Sequence, residues 1–131
     1  MIDCLTYVSR AAPAMSARDA YDIIRASHNR NSRTGLTGAL LFLDGWFLQI
    51  LEGDAFYVDR CYASIAVDPR HHALELRERV RLPERRFPNE WMALRLDCDV
   101  SADLRLEHGY VPGFPAQRFD PAALLRFVHA V

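Results

Sequence analysis

Gln49 is the first residue whose chemistry needs explaining. It stands in the stretch GWFLQILEG, residues 45 to 53, among the most apolar side chains in the sequence. Read as a strand, this stretch puts Phe47, Gln49 and Leu51 on one side and Trp46, Leu48 and Ile50 on the other. Both sides are apolar, so the strand is expected to be covered on both faces. A buried carboxamide left without partners costs on the order of 1–3 kcal/mol, so something must answer it. Tyr7 and Ser9 lie in another predicted strand and can point to the same face. A phenol facing an amide is either a closed core pair or one wall of a ligand site, and both readings stand at this point. The amide is a donor at one end and an acceptor at the other, so reversing it changes what it offers a neighbour; a carboxylate offers acceptors only.

The other reactive side chains are less pointed. Asn29 and Asn31 fall in the polar run HNRNSRTG, residues 28 to 35, which reads as a loop and whose asparagines suit left-handed turns. His71 and His72 are adjacent, but successive strand residues point apart and no third ligand accompanies them, so no metal is expected. Cys4, Cys61 and Cys98 are odd in number and show no CxxC spacing, which favours a reducing compartment and offers no zinc site. All 16 basic residues are arginine, so the presence of Arg at any one position carries little weight.

These residues need a scaffold, and hydrophobic periodicity outlines one. Ile2 to Ser9 reads as a first strand. Ser16 followed by Asp19 marks a helix start, with Ala20, Ile23, Ile24 and Ser27 on one face. Leu36 to Leu43 gives a second strand, and Asp44-Gly45 a tight hairpin into the third. Asp54 caps a second helix bearing Val58, Cys61, Tyr62 and Ile65. A fourth strand is expected over His72 to Leu82 and a fifth over Trp91 to Leu96. Short helices follow at Ser101 to His108 and Pro121 to His129, the last capped by Asp120. The order predicts an α+β protein: a ferredoxin-like β-α-β-β-α-β sheet with an additional fifth strand and two C-terminal helices. At 131 residues this is one domain, with residues 1–97 as its core and 98–131 as a helical extension. The formal net charge of -1 gives no field for nucleic acid or an anionic membrane. No leader and no membrane-spanning run is evident, so a cytoplasmic protein is expected.

The segments LTYVS, NRNSRTGLTGALLFLDGWFLQILEG, DPRH and RRFPNEWM, in that order over residues 2 to about 96, resemble the BLUF family of flavin-binding blue-light sensors. The resemblance implies FAD held between the two helices, with Gln49 bridging the flavin and Tyr7. It implies that light draws an electron and a proton from Tyr7, and that their return leaves an altered hydrogen-bond pattern without a covalent adduct. Asn31 matches the family asparagine on the flavin's pyrimidine edge. Arg70 matches a basic residue near the flavin carbonyl or phosphate side, with surface solvation as its alternative, and His71 accompanies it. Ser9 and Ser27 fall near the Tyr–Gln network, and Ile23 and Ile24 would flank the ring.

Two departures stand out. Arg30 occupies a position where the family commonly carries Asn or His, and a guanidinium cannot accept hydrogen bonds. Trp91 and Met92 are adjacent, where the family spacing is Trp-x-Met. If Met92 keeps its register, Glu90 takes the tryptophan place and Trp91 points to the opposite face. Trp91, Met92 and Ser9 are the candidate relay residues. The expected function is a non-enzymatic photoreceptor that signals through a partner or as a homo-oligomer. A flavin-free ferredoxin-like interaction domain is the alternative. An acylphosphatase-like hydrolase is a weaker one, because the NRNSR run is too poor in glycine for a phosphate nest.

Overall fold

The first strand, β1 (Ile2–Ala11), is buried along nearly its whole length, as expected of a central strand covered on both faces. It is flanked by β3 (Trp46–Gly53) and β4 (His71–Leu82), while β2 (Thr37–Leu43) and β5 (Ala93–Leu96) complete a five-stranded sheet of order β4-β1-β3-β2-β5. Among the described residues, only the β2–β5 pair is parallel. The computed structural model describes residues 1–109 and 121–130. The first four strands have the ferredoxin-like order β4-β1-β3-β2, with β5 added at the β2 edge.

The β2–β3 hairpin turns on Asp44 and Gly45, both with positive φ (47° and 79°), the geometry of a two-residue turn matched to strand twist. Within β2, Gly38 lies so close to β3 that a Cβ there would sit 1.8 Å from the Ile50 carbonyl oxygen. Its bare backbone therefore sets the spacing between β2 and β3, the strand that carries Gln49.

Helices α1 (Ala17–Thr34) and α2 (Ala55–Ala66) cover one face of the sheet. Ser16 and Asp19 form the expected capping box for α1, and the Asp54 carboxylate accepts from the Phe56 N–H to cap α2. Against these helices pack Leu5, Tyr7, Leu40, Phe47, Leu51 and Met92. The opposite face carries Val8, Leu41, Leu48 and Ile50. It is covered by Val100 and by Phe127 and Val128 of the last helix, with Leu104 of a short helix packed alongside. That short helix is α3 (Ala102–Glu107) and the last is α4 (Pro121–Ala130). Fully burying each such side chain contributes roughly 1.5–3 kcal/mol, so the two-sided core dominates the stability.

The structure corrects the sequence at two places. The polar run from His28 onward is not a loop but the second half of α1, which stops where Gly35 adopts φ 74° and its N–H bonds the Asn31 carbonyl. Ile24, Ser27 and Asn31 are buried on one helical stripe while Arg25, His28, Asn29, Ser32 and Arg33 face solvent, so polarity there reflects an exposed face. The fifth strand begins at Ala93 rather than Trp91, because the carbonyls of residues 91 and 92 bond side chains of α1 instead of a strand. The predicted cap Asp120 lies outside the described residues. Among those described, no helix is long and apolar enough to cross a membrane.

Candidate functional site

Antiparallel pairing of β1 with β3 puts Tyr7 directly opposite Gln49. The two side chains project toward the helices, and the Tyr7 hydroxyl donates to Gln49 Oε1. The other end of the amide, Nε2, donates to the Met92 sulfur at 3.5 Å. All three residues are nearly inaccessible, at 3 %, 3 % and 1 % exposure. The amide is thereby answered at both ends, and among the described residues no buried side-chain polar atom lacks a partner. Burial pushes the Tyr7 phenol well above its ordinary ionisation range, so the hydroxyl keeps its proton.

Above this chain, the two helices enclose a cavity of ≈ 260 Å³ whose lining includes Tyr7 and Gln49. It lies a little below the roughly 300–1,000 Å³ usual for small-molecule sites. Its apolar walls are Ile23 of α1, Leu40 of β2, Phe47 of β3 and Ile65 of α2. Besides Tyr7 and Gln49, its polar lining comprises Ser27, Arg30, Ser64, Asp68, Arg70 and His71.

Two polar groups there are fixed by their neighbours. Register shifts between Thr6 and Tyr7 and between Val8 and Arg10 each add a residue to β4, the second near Ala73, whose φ is 53°. His71 pairs with Ala11 in that register and reaches Ser9 Oγ with Nδ1 (2.7 Å) and the Ile65 carbonyl with Nε2 (2.6 Å). A carbonyl only accepts, so Nε2 carries the hydrogen, and in the neutral ring Nδ1 accepts from Ser9. The Arg70 guanidinium chelates Asp68, with its Nε at 3.0 and 3.1 Å from the two carboxylate oxygens, and holds that carboxyl below the ordinary range. Arg30 Nε donates to Asn31 Oδ1 at 3.4 Å.

The structure thus brings Tyr7, Gln49, Ser27, Ile23, Arg30, Arg70 and His71 around one space, with Ser9 and Met92 directly behind it. Three candidates sit apart from the lining. Ile24 is buried between α1 and the sheet. Asn31 is fully buried, and its Nδ2 donates to the Trp91 carbonyl. Trp91 holds that contact by its backbone, while its indole is 46 % exposed. Met92 packs with the helix-side core, in the register that sets Trp91 outward. Sequence reasoning passed over Asp68 and His28. The Asp-Pro-Arg turn was a signal for the first; nothing in the sequence marked His28, whose Nε2 lies 2.8 Å from the Met92 carbonyl oxygen.

Comparison with known proteins adds an independent line. The model of the family BLUF, sensors of blue-light using FAD, matches residues 2–93. Photoactivated adenylate cyclase subunit beta of Euglena gracilis is 40% identical over 87 residues, covering 66% of this chain and 10% of that protein. The chain therefore spans about a tenth of the length of this curated relative. Among solved structures, the dark state of BlrB, a BLUF protein, superimposes with a TM-score of 0.80 and 32% identity over 98% of this chain and 96% of that one. Klebsiella pneumoniae BlrP1 with FMN and cyclic diGMP superimposes with a TM-score of 0.75 and 27% identity, over 99% of this chain and 34% of its own. With a family match across most of its length and a near-complete superposition on BlrB, this chain belongs to the BLUF family of flavin-binding blue-light sensors.

Proposed function

We propose that the chain binds FAD noncovalently in the cavity between α1 and α2, and that Tyr7 and Gln49 are its photoactive pair. The observation that carries this reading is the buried chain from the Tyr7 hydroxyl through the Gln49 amide to the Met92 sulfur, lying beside a helix-walled cavity. The lining suits a flavin: aliphatic and aromatic walls for a flat ring, an amide and a serine for its polar edge, and two arginines for carbonyl or phosphate oxygens. Bound flavin supplies a chromophore that absorbs blue light and, once excited, accepts an electron together with a proton.

Tyr7 is placed to give both. Its proton is retained in the dark, and it already lies on a hydrogen bond to Gln49. Gln49 supplies the memory. Rotating its amide exchanges the acceptor that faces Tyr7 for a donor and withdraws the donor that faces Met92. Moving a proton across it turns the oxygen that faces Tyr7 into a hydroxyl donor. Either change forces the phenol to find a new acceptor. Because the three groups are shielded from water, no solvent hydrogen bond dilutes the exchange. Arg30 and Arg70 orient the cofactor in this reading, Asn31 accepts from Arg30 behind the lining, and Ser9 with His71 fixes the β1 face behind Tyr7.

The chain acts as a non-enzymatic sensor, with residues 1–97 as its flavin-binding core and 98–131 as its helical extension. Its output passes from Gln49 through Met92 to β5 and on to a separate effector or a second copy of the chain. Three free cysteines support a cytoplasmic setting. The test is direct. Purified protein should be yellow, release FAD rather than FMN on heat denaturation, and shift its flavin absorption reversibly to the red under blue light. A colourless protein that ignores added FAD would favour the flavin-free interaction domain.

A further inference from the structure

We propose that His28, on the exposed flank of α1, is a positioning residue that holds Met92 against Gln49 through the Met92 carbonyl. This rests on the photosensor reading above and concerns the regulation of that same site.

The segment joining β4 to β5 is fastened at two places. At its start, the buried Glu52 carboxylate accepts the N–H groups of Arg86 (2.9 Å) and Phe87 (2.5 Å). At its end, three consecutive carbonyls are taken, one by a backbone N–H of β2 and two by side chains of α1. The Glu90 carbonyl accepts from the Gly38 N–H at 3.1 Å, that of Trp91 from Asn31 Nδ2, and that of Met92 from His28 Nε2 at 2.8 Å. His28 and Asn31 are three residues apart on α1, one turn of the same helix. A carbonyl cannot donate, so the hydrogen resides on His28 Nε2.

Of these three contacts, the His28 contact bonds the same residue whose sulfur accepts from Gln49 Nε2. Met92 is thus held at its backbone by α1 and touches the amide with its side chain. Loosening the backbone anchor allows the thioether to withdraw, which leaves the amide room to turn and lowers the barrier to its reversal in both directions. His28 itself is exposed, so replacing it opens no cavity in the core.

The experiment uses the full chain loaded with FAD and reads flavin content, the light-induced red shift and the rate of dark recovery. H28L and H28N lack a donor at the Nε2 position, whereas H28Q carries an amide nitrogen near it. Losing one hydrogen bond of ordinary strength should speed recovery by about fivefold in H28L and H28N, with flavin content kept and H28Q within about twofold of the parent. A double-mutant cycle tests the route: if His28 acts through Met92, then H28L/M92A recovers like M92A alone. Unchanged recovery in H28L, no rescue by H28Q, or rates that simply multiply in the double variant would each overturn the inference. So would loss of flavin in both H28L and H28N, which would make His28 a plain structural support. A parent chain without any light-induced shift removes the photosensor reading, and this inference with it. A normal parent shift with an unaltered H28L removes only the role of His28.

Discussion

A carboxamide can serve as a switch only if its environment distinguishes its two ends, and the surroundings of Gln49 do: a hydroxyl on one side, a thioether on the other. Replacing Gln49 by Leu keeps the volume and removes both ends. The expected outcome is a folded, flavin-loaded protein with no light-induced shift, checked by circular dichroism and difference spectroscopy. At the same scale, buried acids set the alkaline limit. Burial pushes the Cys4 thiol from 9.0 up to about 12, and it also raises Cys61 and Tyr7. The unfolded chain releases these protons first, so stability is fully present below the unfolded values and falls as pH rises from about 9. Urea midpoints measured from about pH 8 to about pH 11 should decline, and Cys4→Ala should show a shallower decline. Tyr7 and Gln49 could be paired from sequence because strand parity is strict and a polar residue in an apolar strand is conspicuous. The environment of Asn31 could not be read, since its partner is a carbonyl 60 residues away whose position depends on how the β4–β5 segment is folded. Trp91 shows the same limit: its spacing hinted at an outward indole, but only the structure gives its backbone a role. Trp91→Ala should leave dark recovery within about twofold of the parent, because the Asn31 contact uses the carbonyl that alanine also has.

Elements position these residues through a few fixed points. Glu52 is the clearest: wholly buried on the face opposite Gln49, its carboxylate accepts from Thr37 Oγ1 (3.2 Å) as well as from two backbone N–H groups. Glu52→Ala leaves the Arg86 and Phe87 N–H groups without that partner, so a loss of about 3 kcal/mol is expected in urea unfolding, together with altered photocycle kinetics as the β4–β5 segment loosens. Strands β1 to β4 and helix α2 were legible because alternation, the Asp44-Gly45 turn and the apolar stripe of Val58, Cys61 and Ile65 all agree. The second half of α1 was not, because its exposed face is so polar that composition reads as a loop. The Ile24, Ser27, Asn31 spacing and the stop at Gly35 carried the helical signal. The start of β5 was missed for a related reason: side chains of α1 take the place of a neighbouring strand at residues 91 and 92.

On the scale of the whole molecule, the sheet separates a sensing face from a covered one. The helices α1 and α2 wall the cavity, while α3 and α4 lie over Val8, Leu41, Leu48 and Ile50 on the other side. Met92 belongs to the helix-side core and its neighbour Ala93 to the far-side core, so the junction of the β4–β5 segment with β5 joins the two. A change at Gln49 has a short path to the face where α4 packs: one hydrogen bond to Met92 and one peptide link to Ala93. The most direct test of the central claim is the light-minus-dark absorption spectrum of the FAD-loaded protein beside that of Tyr7→Phe. The account predicts a reversible red shift in the parent and none in the variant, with flavin bound equally in both. A full, reversible shift in Tyr7→Phe would contradict it.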